Sequence, residues 1–142
     1  MKTVKIITFT SRIFILIAAL YMLSIGILAI FSPLSIIDFV HINMLKHGSF
    51  FAISGVYGAG SLLIFILLMY FMASNPDNGL LTLLIYCGIY ASIRVMTLFL
   101  EGVIGEKESQ WLILEFFLFL VSLGLFSALE ISKTTEYILS KA

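Results

Sequence analysis

Charged side chains are scarce in this chain, and their scarcity decides its class. Only 11% of its 142 residues are charged and 61% are hydrophobic, whereas soluble domains carry roughly 25% charged residues. The mean hydropathy is +1.16. A water-exposed surface is hard to build from such material, and little polar sequence is left for an attached soluble domain. We therefore expect a single membrane domain covering residues 1–142.

The chain also lacks the groups that most enzyme and metal sites require. Cys87 is the only cysteine, so an intrachain disulfide and a dithiol redox site are excluded, and we interpret it as inert core. His41 and His47 with Asp38 do not make a metal site without a further fixed ligand. No set of nucleophile and base stands out. The sequence therefore predicts no catalytic residue, metal or cofactor.

Net charge is zero, because eight basic side chains balance eight acidic ones. This balance argues against a nucleic-acid partner, which would need a basic face. We expect membrane lipid as a partner, together with either further copies of the chain or a larger membrane protein.

Four apolar runs are long enough to cross about 30 Å of hydrocarbon, which takes ~20 helical residues. The first follows Lys2, Lys5 and Arg12 and could be taken for a signal peptide. Its apolar run exceeds the ~7–15 residues of a signal core, and no convincing cleavage site follows, so we interpret it as a retained span. The prediction is an all-α, antiparallel four-helix membrane bundle with spans at 13–31, 48–73, 80–100 and 111–129.

The predicted connections between spans suit an up-and-down bundle. Residues 74–79 (Ser-Asn-Pro-Asp-Asn-Gly) have the composition of a tight turn. Residues 101–110 read as a short charged loop, with Ser109 placed to cap a helix that Trp111 opens. Residues 130–142 read as a short cytoplasmic tail.

The connection between spans one and two carries its own pattern. Ser32 and Pro33 form a good cap and first-turn pair, and apolar residues then recur at helical spacing between Ile36 and Leu45. This spacing favours a short interfacial helix. An irregular loop is the alternative.

Orientation follows from the distribution of lysine and arginine in the loops. Five basic residues fall on the side of the termini and two on the other side, so both termini are predicted to be cytoplasmic in the cell (inner or plasma) membrane. The first group is Lys2, Lys5, Arg12, Lys133 and Lys141, and the second is Lys46 and Lys107.

Arg94 lies inside the third apolar run, where an ionisable group is costly and needs a partner. It is about 10 Å inside the outer end of its span, and Glu115 is about 6 Å inside the next one, at ~1.5 Å per residue. The two spans are predicted antiparallel neighbours, so an arginine–carboxylate pair can form. Three interpretations remain open. Arg94 and Glu115 belong to a ligand site, they form a purely structural ion pair, or Arg94 snorkels outward alone.

Other polar residues are predicted to converge on this pair. Tyr90 and Thr97 lie at i−4 and i+3 from Arg94, and Glu101 lies at i+7, so all three share its helix face. Tyr57 in span two can reach the same depth. Its assignment depends on spans two and three being neighbours.

Span two also presents a stripe of small residues. Gly48, Ala52, Gly55 and Ala59 recur at four-residue steps, a spacing that lets two helix backbones approach closely in lipid. We count Gly58 with this predicted packing set.

Short motifs along the chain occur in the order of a known family. The pattern resembles the bacterial domain-of-unknown-function 4345 family, within the broader DoxX-like set of four-helix membrane proteins, over about residues 13–130. The motifs are Leu20-Tyr21-Met22, Val56-Tyr57-Gly58-Ala59-Gly60, Ile93-Arg94, Glu101-Gly102 and Leu114-Glu115.

The resemblance implies a multi-pass membrane protein without an assigned biochemical activity. Two departures, Ala59 in place of a second glycine and Ile93 in place of a small residue, would narrow a cavity around Arg94. DoxX is associated with thiol–quinone redox chemistry, which a single cysteine does not support. The positions that the resemblance marks are Tyr57, Gly58, Arg94, Glu101, Gly102 and Glu115.

Three functions remain as hypotheses. The first is binding of an anionic or lipid-like ligand in an outer-leaflet pocket around Arg94 and Glu115. The second is a structural or accessory subunit in which the pair only fixes helix packing. The third is an isomerase-like membrane enzyme using Glu115 and Tyr57 for proton transfer. A transporter would need oligomerisation to form a path through four short spans.

Overall fold

The protein is helical throughout the part of the chain that its computed structural model describes, which is residues 2–34, 54–101 and 106–141. Helix α1 is Lys2–Phe31, α2 is Gly60–Ser74, α3 is Pro76–Glu101 and α4 is Glu106–Lys141. A π-helical segment, Ser54–Ala59, runs directly into α2. The predicted all-α class is therefore confirmed for these residues.

Four helical stretches of the described residues are long and apolar enough to cross a membrane, as predicted. They are Thr3–Phe31, Ser54–Ser74, Pro76–Met96 and Leu112–Lys141. At most 33% of the most apolar window of any of them is buried inside the molecule. Large apolar surfaces of this kind are unusual on soluble monomers, and they indicate a membrane protein.

The helices extend beyond the predicted spans. α4 begins at Glu106, so Ser109 lies within the helix and is not its cap. The predicted tail is helical as far as Lys141, and α1 begins at Lys2. The reason is that a helix stops at breakers such as glycine and proline, whereas an apolar run stops at the first charged residues.

The connection between α2 and α3 is much shorter than the predicted turn at residues 74–79. Asn75 alone lies outside both helices, and its backbone N–H donates to the Phe71 carbonyl at 2.8 Å. Its side-chain Oδ1 accepts from the Asp77 backbone N–H at 3.2 Å, which caps α3. Pro76 occupies the first helical position, where its fixed φ suits a helix start.

The core lies where α1 meets the other three helices. α1 packs most extensively against α2, and α3 packs most extensively against α4, while α2 also contacts α3. In lipid the hydrophobic effect does not drive helices together, so close packing of their side chains has to hold them in place. The buried cluster consists of Ile15, Ala18, Ala19, Met22, Leu68, Leu80, Leu83 and Leu129.

The close approach between α1 and the π-helical segment occurs at Gly58. A Cβ at this position would lie 2.9 Å from Ile30 Cγ1. Gly55 and Ala59 are exposed instead, so neither packs against another helix among the described residues. The wider turn of a π-helix places Gly58, three residues after Gly55, on a different face from Gly55 and Ala59.

Several predictions fall on residues outside the described ranges. They concern the interfacial helix, His41, His47, Asp38, Gly48, Ala52 and Gly102.

Candidate functional site

All four helices contribute to a cavity of about 300 Å³. Its volume lies at the lower end of the roughly 300–1,000 Å³ typical of small-molecule sites, and a mostly apolar wall with a few polar groups is also typical of them. The lining residues are Tyr21, Met22 and Ile25 of α1; Val56 and Tyr57 of the π-helical segment; Gly60, Ser61, Leu63 and Ile64 of α2; Tyr86, Cys87, Tyr90 and Arg94 of α3; and Leu114, Glu115 and Leu118 of α4.

The ion pair predicted between α3 and α4 is present and borders this cavity. Arg94 Nε donates a hydrogen bond to Glu115 Oε2 at 2.9 Å, and the two side chains are 29% and 14% exposed. Bonds of this kind, in which both partners are charged, are among the stronger ones in proteins. Arg94 therefore borders a cavity and not a filled core.

Local packing brings the two charges within reach. Gly88 of α3 faces Phe119 of α4, and a Cβ on Gly88 would lie 3.2 Å from Phe119 Cε2. Ala91, buried one turn before Arg94, keeps the same face of α3 small. The small side chains let α3 approach α4 closely, so that Arg94 and Glu115 can meet.

The ion pair itself engages one of the three nitrogens of the guanidinium group. Within the described residues, Arg94 makes its hydrogen bond through Nε. The four N–H groups on Nη1 and Nη2 are therefore not taken by the described part of the chain. Glu115 occupies one edge of the guanidinium plane, and it holds the rest of a planar, five-donor group at the cavity wall.

Tyrosines form a second feature of the wall. Four of the six tyrosines in the sequence line the cavity: Tyr21, Tyr57, Tyr86 and Tyr90. The rings of Tyr86 and Tyr90 are 4.7 Å apart between centroids and tilted by 38°. Each tyrosine contributes an apolar ring and a hydroxyl that can donate or accept.

The structure brings some of the predicted site residues together. Tyr57 and Tyr90 line the same cavity as the ion pair, and α2 packs against α3, as the Tyr57 prediction required. Thr97 and Glu101 are residues of α3, but the described part of the structure does not include their side chains.

Ser61, which shares a face of span two with Tyr57 and is expected near the pair, lines the cavity, whereas sequence reasoning left three other polar wall residues out of the site: Tyr21, Tyr86 and Cys87. Two of them carried a signal, because Cys87 and Tyr86 lie seven and eight residues before Arg94 and so share its helix face. Tyr21 carried none, since the depth of α1 relative to α3 cannot be read from the sequence.

The wall carries groups that can form hydrogen bonds with an oxygen-rich ligand. The guanidinium and tyrosine hydroxyls supply donors, and Glu115 supplies one acceptor. Among the described residues, no three His, Cys, Asp or Glu side chains are grouped so as to hold a metal ion.

No model of a known protein family, no curated protein and no solved structure matches this chain. The resemblance to the domain-of-unknown-function 4345 family therefore stays a prediction.

Proposed function

We propose that the protein is a four-span membrane protein that binds an anionic or lipid-like ligand in a pocket around Arg94 and Glu115. One observation carries the proposal: a guanidinium whose terminal N–H groups are not bonded by the described residues borders an otherwise largely apolar cavity. A charge in such surroundings is expensive and commonly marks a functional site. Arginine is suited to phosphate or carboxylate because its donors form a planar fork.

Two ion pairs support an antiparallel arrangement of α3 and α4. Asp77, at the start of α3, pairs with Lys133, and Arg94 pairs with Glu115. Residue numbers thus rise along α3 as they fall along α4. Between the two pairs α3 rises by about 25 Å at 1.5 Å per residue, which is close to the ~30 Å thickness of the hydrocarbon core.

The loop charges favour a location in the cell membrane with both termini in the cytoplasm. In this orientation the Asp77–Lys133 pair lies near the cytoplasmic surface. The cavity then lies in the half of the helices nearer the outer surface, so its ligand would come from the outer leaflet or the external solution.

Mass spectrometry of lipids and small anions that copurify with the protein tests the proposal. Charge-assisted hydrogen bonds are worth about 1.5–3 kcal/mol, so the Arg94→Gln variant should retain at least about tenfold less of the specific ligand. Lys133→Gln is the matched control, because it breaks the other ion pair between α3 and α4, far from the cavity. An unchanged set of bound species in Arg94→Gln would refute binding at this site.

A structural role is the second candidate, and the same two ion pairs favour it. Both join α3 to α4, and these two helices contact each other more extensively than any other two described helices. In this role Arg94 and Glu115 would fix helix packing, and the exposed apolar faces would contact a larger membrane partner. The stability measurements described in the Discussion, combined with the lipid analysis, separate the two roles.

The family resemblance is part of the proposal. Tyr57, Arg94 and Glu115 are three of the positions that it marks, and their meeting at one cavity supports it. A common ligand site would explain why widely separated short motifs occur together.

A further inference from the structure

The cavity is partly open to the surface of the molecule. Four of the side chains that line it are substantially exposed: Val56 at 69%, Leu63 at 58%, Tyr90 at 38% and Leu114 at 36%. We call these four residues the mouth. Val56 and Leu63 are on one side of the cavity, in the π-helical segment and α2, and Tyr90 and Leu114 are contributed by α3 and α4.

Other residues of the cavity wall are buried. Met22 and Cys87 are 3% and 1% exposed, and Ser61 is 6% exposed. Arg94 and Glu115, whose side chains are 29% and 14% exposed, are intermediate in exposure between these buried residues and the mouth.

The mouth lies within the candidate membrane spans. Val56 and Leu63 belong to Ser54–Ser74, Tyr90 to Pro76–Met96 and Leu114 to Leu112–Lys141. Three of the four side chains are aliphatic, so the mouth offers little to replace the hydration of a water-soluble ion. In a bilayer the same surface is adjacent to acyl chains.

The volume of the cavity limits what it can enclose. About 300 Å³ corresponds to roughly ten water molecules at about 30 Å³ each. This space accommodates a phosphate or carboxylate head with a few carbon atoms. The remainder of a long-chain amphiphile would have to extend out of the cavity.

We infer that the ligand is a membrane-resident amphiphile whose phosphate or carboxylate head contacts Arg94 and whose hydrocarbon chain passes between Leu63 and Leu114 into the bilayer. The inference rests on the proposed function and adds the chemical class of the ligand and its route. The head accepts hydrogen bonds from the terminal N–H groups of Arg94, and tyrosine hydroxyls can donate to its oxygens. The chain covers the apolar mouth.

Photocrosslinking in phosphatidylcholine nanodiscs tests this inference with the whole 142-residue chain. The probe is dodecyl phosphate that carries a diazirine near the middle of its chain, and mass spectrometry locates the adducts. We expect adducts at Val56, Leu63 or Leu114. Unlabelled dodecyl phosphate at ten times its Kd should reduce them about tenfold by mass action. Inorganic phosphate at the same concentration should not.

Two tryptophan substitutions test the route. Leu63→Trp narrows the mouth and should reduce the adducts at Leu114 about tenfold, a change equivalent to one unit in log affinity. Ile66→Trp is the matched control, because Ile66 is on the same helix and similarly exposed (61%) but does not line the cavity. Equal effects of the two substitutions would overturn the route through the mouth.

Arg94 is tested with two variants, since Arg94→Gln could also weaken the fold. Arg94→Lys keeps the positive charge and the possibility of an ion pair, but it lacks the planar set of donors. We expect mouth adducts to fall in both variants, with a smaller fall in Arg94→Lys. Circular dichroism verifies that the helices are retained.

The outcomes separate this inference from the proposed function. If inorganic phosphate competes as well as dodecyl phosphate, the ligand is a water-soluble anion; the inference is overturned and the proposed pocket survives. If adducts at the mouth do not exceed those at Ile66, the chain does not pass there and the inference also fails. If neither Arg94 variant changes the adducts, the head is not bound at Arg94 and both proposals fail.

Discussion

The bond between Arg94 and Glu115 has a geometry that serves two purposes. The carboxylate is engaged through Nε of the guanidinium, so each charge is compensated and the terminal nitrogens remain at the cavity wall. In the membrane, a charged side chain at mid-depth costs ~2.5–3.5 kcal/mol on insertion scales. The pair reduces this cost without consuming all the donors of Arg94.

A double-mutant cycle measures the coupling between the two residues. Arg94→Gln or Glu115→Gln alone should each lower the free energy of unfolding by about 1–3 kcal/mol, because each leaves a partly buried charge without its partner. The double variant should cost less than the sum of the two. Thermal unfolding of the detergent-solubilised protein provides the measurement.

Exchanging the two residues completes this test. If the pair is only structural, the variant with both Arg94→Glu and Glu115→Arg should recover stability and keep its bound lipids. If the pair also binds a ligand, stability should recover without the ligand. Additive effects in the cycle would refute the coupling.

At the scale of the helices, the joint between α2 and α3 is the tightest feature. With Asn75 as the only residue between them, the two helices turn sharply, and Gly79 in the first turns of α3 comes against α1. A Cβ on Gly79 would lie 2.8 Å from Ile15 Cδ1 and 3.4 Å from Phe71 Cβ. Ile15 is fully buried, so its side chain has little room to move away.

Gly79→Ala should therefore lower the free energy of unfolding by about 1–3 kcal/mol through overpacking. Ile15→Val removes the methyl group nearest to the new Cβ, so the double variant should be less destabilised than the sum of the two single variants. Thermal unfolding of all three variants tests this expectation.

Gly124→Ala is the matched control in α4, since an added Cβ there meets nothing within 4 Å. It should leave stability unchanged or raise it by up to about 1 kcal/mol, because alanine is the better helix former. Equal destabilisation by the two glycine substitutions would contradict close packing at Gly79.

The π-helical segment is the other element that decides the site. It places Tyr57 on the cavity wall and Gly58 against α1, while Gly55 and Ala59 face outward. Single π-helical turns often occur at functional sites, because the wider turn redirects side chains locally. If the same residues formed an ordinary α-helix, their side chains would point in directions different from those in the structure.

For the whole molecule, the exposed surface is largely apolar over the length of the four spans. Orientation in the membrane can be tested with single cysteines in a Cys87→Ser background. The excess of basic residues near both termini predicts that a Ser140→Cys variant reacts with a membrane-impermeant maleimide only after the cells are permeabilised. A Gln110→Cys variant, at the opposite end of α4, should react in intact cells.

Each variant serves as the control for the other, since both positions are exposed and belong to one helix. Labelling at Ser140→Cys in intact cells, with protection at Gln110→Cys, would reverse the orientation and place the cavity in the cytoplasmic leaflet. Labelling of both in intact cells would contradict a spanning α4.

Composition and local pattern alone were enough to predict the all-α class, the four apolar spans and the contact between Arg94 and Glu115. The hydropathy of a segment depends only on the residues it contains, so the spans can be found without knowing the fold. Arg94 and Glu115 flank the same short loop, so their distances from it along the sequence nearly determine their relative depths. Local signals for the ends of helices were weaker. The run of apolar residues marks the stretch that suits lipid, and α1 and α4 continue past it because the charged residues that end the run do not break a helix.

Only the tertiary structure decided what surrounds Arg94. Whether the space beside a side chain is filled depends on the register and rotation of four helices relative to one another, which sequence distance does not encode. The cavity, its wall of four tyrosines and its apolar mouth arise because the helices approach closely at Gly58, Gly79 and Gly88 and remain apart around Arg94. The sequence by itself determined that the arginine needs a partner, and packing determined that it also has room for a ligand.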